Sequence, residues 1–255
     1  MAESGVISNR KYLQPAERKA LRFGLILSLL LAIVSGLAWG DDAYSLKPTS
    51  PRASAHFPQS LVNALSPQGF RVYGNISGVE TLICEIFWAR NISAQEAAPA
   101  STNLLYGTLK PGTLIGVIHF LIIERYVRDY RSQMLKPGYY TMRYAAMPEG
   151  ANASDLDFVL LSATSADPNP AQVPALDELV RRARLASRNR RPLMMSLAEI
   201  DKDQPFPSLT TDEEGTSVLQ IKLPVKPAKS TRPGPPREFP LALTVVTSIP
   251  EDLGD

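Results

Sequence analysis

Apolar residues along this chain gather in short runs, some alternating and some continuous. Between Val79 and Trp88 the positions Leu82, Cys84, Ile86 and Trp88 share one face, the period of two expected of a strand with one buried side. Residues 113–123 read TLIGVIHFLII, with Ile115, Val117, Leu121 and Ile123 on one face and Leu114, Ile118, Phe120 and Ile122 on the other. Both faces are apolar, so this strand is predicted to be central and covered on both sides. Residues 139–146 place Tyr140, Met142 and Tyr144 on one face and Tyr139, Thr141 and Arg143 on the other, which predicts a half-buried strand. Residues 70–76 and the run DFVLLSA at 157–163 add two more, and 193–197, 218–223 and 241–247 add three shorter candidates.

One segment follows the helical period instead. After the turn Asp167-Pro-Asn-Pro170, Pro174 suits a first helical turn and Asp177 and Glu178 lie where the macrodipole favours acids. Leu176, Leu179, Val180, Ala183 and Ala186 then form one stripe, predicting a helix over 174–188 packed on the strands. Six to nine strands with turns between them predict a mainly β chain, an antiparallel sandwich of immunoglobulin-like or jelly-roll-like kind over 69–248.

The tetrapeptide LKPG occurs twice, at 109–112 and 135–138, each time ahead of a predicted strand. Pro-Gly fits the centre of a type II turn, because Pro presets the first φ and Gly accepts a positive second one. Beyond the four letters the two segments do not match, so LKPG is read as punctuation. Residues 224–240, PVKPAKSTRPGPPREFP, are predicted to form an extended, partly polyproline loop joining neighbouring strands. The high proline content, 22 residues in 255, against a usual share of about 5%, agrees with many extended pieces joined by turns.

The N-terminus changes the picture of where the chain works. Residues 23–38, FGLILSLLLAIVSGLA, follow Arg10, Lys11, Arg18, Lys19 and Arg22 and precede Asp41 and Asp42, the layout of an export signal. Small residues Ala38 and Gly40 flank Trp39, predicting cleavage after Gly40. Left uncut, residues 23–39 are long enough to anchor the chain in a membrane. Either way the basic flank stays cytoplasmic, so the remainder is expected in the periplasm or outside the cell. The expected organisation is then a signal or anchor over 1–40, an extended segment over 41–68, the strand-rich domain over 69–248 and a tail over 249–255.

Residues 1–40 hold five of the 27 Lys+Arg and two of the 25 Asp+Glu, leaving 22 against 23 beyond them. Without a positive field, nucleic acid loses its main source of affinity and is not expected as a partner. The single cysteine, Cys84, forms no internal bridge and is expected as a small buried hydrophobe.

The succession of apolar signal, LKPGYYTMRY, DFVLL, ALDELVRRARLAS and a final LALTVV strand is similar to a family of uncharacterised exported bacterial proteins. The resemblance covers roughly residues 70–248. It implies export and a single sandwich domain without an assigned activity, and it transfers no functional residue.

Groups suited to catalysis are few. Of two histidines, His56 lies in a Pro/Ser-rich stretch and His119 within the most apolar strand; with one Cys they do not make a zinc set without several acids, and no cofactor or metal is expected. No G-x-S-x-G occurs. Asp155, Asp157, Glu199, Asp201, Asp203, Asp212, Glu213 and Glu214 are available for a carboxylate pair of the kind hydrolases use, without a pattern that pairs them. Asp201-Lys-Asp203 with Asp212 departs from a calcium loop at Pro205 and Phe206. The candidates for ligand or partner binding are therefore the aromatic strand, through Tyr139 and Arg143, and the arginine-rich helix end, through Arg181, Arg182, Arg184 and Arg188. Their solvated-face reading stands beside a dock for an envelope protein, a polysaccharide or an anionic lipid surface. The sequence thus predicts an exported binding module without catalysis, with two alternatives: a membrane-anchored accessory subunit, or a secreted carboxylate-dependent hydrolase.

Overall fold

A computed structural model describes residues 44–51, 58–76, 78–94, 104–121, 128–129, 133–147, 157–226 and 237–246. The expected signal, its cleavage positions Ala38 and Gly40, and the tail lie outside these residues. The described chain is mainly β, in two antiparallel sheets. Seven strands pair in sequence order: β1 (Tyr44–Thr49), β2 (Leu65–Ile76), β3 (Val79–Ala89), β4 (Leu114–Phe120), β5 (Gly138–Ala146), β6 (Asp157–Ala163) and β7 (Met194–Ser196). Three more, β8 (Ser208–Thr211), β9 (Ser217–Pro224) and β10 (Glu238–Val246), form the second sheet with β9 central. Two helices among the described residues, α1 (Gln59–Ala64) and α2 (Leu176–Ala186), complete the fold.

The inner faces of both sheets feed one core, which includes Ile86, Trp88, Ile118, Tyr140, Met142 and Tyr144 from the large sheet and Leu219, Ile221, Leu241 and Leu243 from the small one. The sheets join beyond β7, where Leu197 bridges Leu243 and the Ala198 N–H donates to the Ala242 carbonyl at 3.0 Å. The Tyr106 hydroxyl reinforces this seam, donating to the Ala198 carbonyl at 2.6 Å and accepting from the Ala242 N–H at 2.9 Å. The arrangement is sandwich-like, but the large sheet is a meander. Its sequential order lacks the return of a fourth strand beside the first that defines the Greek key of immunoglobulin-like and jelly-roll folds.

The outer face of the large sheet is also covered. Helix α1 and the residue after it place Leu61 and Leu65 over Phe87, Leu114 and Val117. Helix α2 places Leu179 and Ala183 over Ala145, Phe158, Leu160 and Met194. Strand β4 is therefore central and buried on both faces, as its two apolar faces predict. Strand β5 differs from the half-buried expectation: Thr141 and Arg143, on its outer face, are 0% and 1% exposed. The segment between β6 and α2 folds over that face and brings a carboxylate to neutralise the arginine.

Strands β1 and β8 and helix α1 have no clear signature in sequence. YSLKPT and SLTT are short and half polar, and their pairing is supplied by the neighbours, β1 on β2 and β8 on β9. Helix α2 begins at Leu176, so Pro174 precedes it. Strands β9 and β10 pair with each other, as the loop between them predicts, yet they extend into its proline-rich ends, to Pro224 and from Glu238.

The two LKPG segments turn out to be unlike. In the first, Gly112 has φ +87° and the Thr113 N–H donates to the Lys110 carbonyl at 3.0 Å, a closed type II turn. In the second, Gly138 has φ +149° and opens β5 directly, and the nearby bond is from the Tyr140 hydroxyl to the Lys136 carbonyl at 2.8 Å. At Gly112 an added Cβ would lie 2.7 Å from the Pro174 carbonyl oxygen, whereas at Gly78, also left-handed at φ +82°, it meets nothing within 4 Å. Gly78→Ala is expected to cost about 1 kcal/mol for backbone conformation alone. Gly112→Ala adds the clash and should cost about 2–3 kcal/mol; urea unfolding of both variants checks the order.

Candidate binding cleft

Arginine 143 is not available to a ligand. Its Nε and one Nη hold the two oxygens of Asp167, and its remaining N–H groups donate to the carbonyls of Gly112 and Gln172 at 2.8 Å and of Asn169 at 3.0 Å. All five donors are spent inside the protein. Asp167, itself 0% exposed, also accepts from the Thr141 hydroxyl and from Arg182 Nη1, both at 2.8 Å. Arg182 is buried, so its position within the arginine run does not place it on the solvated face. Its Nε donates to Glu178 at 2.6 Å, and Glu178 also takes a bidentate pair from exposed Arg181. The bonds from Arg181 and then Arg182 hold the Glu178 carboxyl down to about 2.

Of the predicted binding residues, Arg181 stands exposed midway along α2, and Arg184 and Arg188 stand exposed in its last turn and just beyond it, followed by exposed Arg190 and Arg191. Tyr139 lies on the same outer side of the large sheet, packed against the cluster under α1. That tyrosine stacks on His119 with ring centroids 3.8 Å apart and planes 12° apart. It ends a row running straight across β2 to β5, in which Arg71 faces Glu85, Glu85 faces His119 and His119 faces Tyr139. Arg71 Nε lies 2.8 Å from one Glu85 oxygen and His119 Nδ1 3.0 Å from the other. Burial pushes the Glu85 carboxyl up, but His119 and Arg71 together outweigh it and hold it below the usual range. The row holds an imidazole oriented by a carboxylate.

Several of the carboxylates named from sequence are taken up by the fold around them. Asp157 is 3% exposed and is taken up by the Tyr144 hydroxyl at 2.6 Å and the backbone N–H groups of Leu105 and Tyr106. Asp201 and Asp212 each accept from backbone N–H groups of their own turns. Asp155 and His56 lie outside the described residues. Among the described residues no three His, Cys, Asp or Glu side chains are grouped to hold a metal. Cys84 is fully buried, with its thiol pushed up by burial.

The feature that sequence did not reveal is a cleft of about 610 Å³ between the two sheets, within the size range of ligand sites. One wall comes from β2 and β3: Ser66, Gln68, Phe70 and Trp88. The other comes from Lys222, Leu223 and Pro224 of β9 with Glu238 of β10, and Pro205, Phe206 and Pro207 line it as well. Local irregularity makes room for it. Pairing between β2 and β3 slips between Leu65 and Gly69, a bulge that leaves Ser66 to Gln68 out of the ladder. Lys222 Nζ lies 5.0 Å from the Phe206 ring centroid and 3.8 Å from Glu238.

Trp88 carries the chemical interest of the cleft. It is 4% exposed, and its Nε1–H, although buried, has no hydrogen-bond partner. Buried indole donors ordinarily find an acceptor, because leaving one unmet costs about 1–3 kcal/mol. Comparison with protein-family models, with curated proteins and with solved structures finds no match for this chain.

Two measurements test the ion network. Asp167→Asn leaves Arg143 and Arg182 buried with half their partner charge, and should lower unfolding free energy by about 3–5 kcal/mol; Arg184→Gln, on the exposed helix end, should change it by less than about 0.5 kcal/mol. Because the Glu178 carboxyl is depressed, its contribution is complete above its ordinary value near 4.5 and is lost as pH falls toward about 2. The stability difference between the native chain and Glu178→Gln should therefore close on acidification from pH 5 to pH 2 in denaturant titrations.

Proposed function

We propose that this chain is an exported cell-envelope protein whose two sheets form a sandwich serving as a binding module, without catalysis. The observation that carries this reading is the cleft between the sheets, where Phe70, Trp88, Phe206 and three prolines stand beside Ser66, Gln68, Lys222 and Glu238. Ligand sites combine aromatic and apolar surface with polar groups that fix orientation. The titratable groups reinforce the choice, since Asp157, Asp167, Arg143 and Arg182 are engaged in holding segments together. The exposed Arg181, Arg184 and Arg188 supply a separate positive patch suited to an anionic lipid, a polysaccharide or an acidic protein surface. Export itself rests on residues 1–40, with their basic flank and apolar run. Among the described residues no helix is long and apolar enough to cross a membrane, so an anchor, where present, belongs to residues 23–39.

The experiment places the chain and reads the cleft together. The full chain with a C-terminal tag is expressed in a bacterium, fractionated and measured by native mass spectrometry. A soluble envelope species starting at Asp41 fits a free binding module, and an uncut membrane species with fixed companions makes it an accessory subunit. The sequence holds two tryptophans, Trp39 and Trp88, so a Trp39→Phe chain reports on the cleft alone. Saturable change of its emission with an added ligand is expected; emission indifferent to peptide and oligosaccharide libraries alike would remove the cleft as the binding site.

A further inference from the structure

The cleft borders a piece of open strand edge. Along β9 the direction of each backbone N–H and C=O is fixed by the bonds at its end. The Val225 N–H donates to the Arg237 carbonyl at 2.8 Å, toward β10. One residue on, the Lys226 N–H donates to the Ile92 carbonyl at 2.8 Å and the Ile92 N–H donates to the Pro224 carbonyl at 2.9 Å, on the opposite side. Strand alternation then turns the backbone groups of Gln220, Lys222 and Pro224 away from β10. Pro240 faces Lys222 and Pro224 faces Glu238, so both prolines occupy positions whose absent N–H the ladder between β9 and β10 does not use.

On the side away from β10, β8 pairs with β9 from Ser217 to Gln220, and Ile92 takes Pro224 and Lys226. Lys222 lies between them. Continuing β8 backwards would set Phe206 opposite Lys222, but Pro205 and Pro207 flank it, and no backbone bond joins Phe206 to Lys222. Lys222 thus presents an N–H and a C=O without a backbone partner among the described residues, on the cleft wall and across from Trp88.

The geometry points to an occupant: a short, extended, uncharged apolar stretch of a partner polypeptide, with one residue pairing to the Lys222 backbone and its side chains lying on the cleft wall that Phe70, Trp88 and Phe206 line. This rests on the reading of the cleft as a binding site and names its ligand class. A peptide residue in antiparallel register offers the two complementary groups that an open strand residue lacks. Phe70, Phe206 and the three prolines supply an apolar surface for its side chains, and the rim pair Lys222 and Glu238 balances in charge. Only one residue of edge is open between Gln220 and Pro224, so the peptide contributes a local pairing and the side-chain contacts carry the rest.

The test uses the isotope-labelled full chain in detergent, with the blocked peptide acetyl-Gly-Val-Pro-Val-Gly-amide, its counterpart methylated on the backbone nitrogen of each valine, and chitotetraose as probes. Expected results are a shift of the Trp88 indole proton on peptide addition, slowing of Lys222 amide exchange by tenfold or more, and at least tenfold weaker binding of the methylated peptide. Phe206→Ala, which removes apolar cleft wall beside Lys222, should also weaken peptide binding about tenfold while leaving the thermal transition within a few degrees. Peptide binding that leaves Lys222 exchange unchanged, or that tolerates methylation, overturns the strand-edge pairing. Chitotetraose shifting the indole where the peptide does not overturns the peptide class and leaves the cleft a binding site. Silence from all three probes overturns the inference and counts against the binding reading itself.

Discussion

The Asp167 carboxylate organises the outer side of this protein. It lies on the segment between β6 and α2, fully buried, and it holds Arg143 of β5, Arg182 of α2 and the Thr141 hydroxyl together. Two guanidinium groups taken out of water are tolerable only when their charge and their donors are met. Arg143 completes its set with backbone carbonyls of Gly112, Asn169 and Gln172, so the first LKPG turn, the segment leading to α2 and the sheet are fixed relative to each other. The helix then delivers Leu179 and Ala183 to the outer apolar cluster. A mismatch at Asp167 would loosen all of these, because each is tied to its two oxygens directly or through Arg143.

A second buried carboxylate does comparable work on the inner side. Asp157, at the start of β6, receives the Tyr144 hydroxyl and two backbone N–H groups from residues 105 and 106. That places Tyr106, whose hydroxyl in turn ties Ala198 to Ala242 where the sheets meet. Burial pushes the Tyr106 hydroxyl up to about 12 and raises that of Tyr144 further, so both remain neutral donors at any physiological pH. Arg143 and Arg182, which looked suited to ligands, are consumed in joining segments, and the cleft is lined by aromatic and proline side chains together with Ser66, Gln68, Lys222 and Glu238.

The cleft arises where regular pairing stops. A bulge in β2, prolines at 205 and 207, and the end of β8 at Ser208 together leave a gap between sheets. Proline is a suitable residue for the edge of such a gap: it fixes the chain without offering an N–H that a neighbouring strand would capture.

The strong periodic runs were legible in sequence: β3, β4, β6, β9 and α2 appear within a few residues of where alternation or the helical stripe places them, since their patterns record which side meets the core. Burial of Cys84 followed from the same alternation. The short polar strands β1 and β8 were not legible, because their stability comes from pairing with partners distant in the chain. The large sheet's sequential order and the burial of Arg143 and Arg182 were equally hidden. Charge in a sequence carries no sign of its partner, and the partner here, Asp167, stands 24 and 15 residues away. Sequence by itself determined which stretches are extended, which is helical and which faces are apolar, through local period and turn chemistry. Tertiary structure alone decided which polar groups are spent on one another and which, like Trp88 Nε1, are left without a partner, because that depends on what the folded chain brings within hydrogen-bond reach.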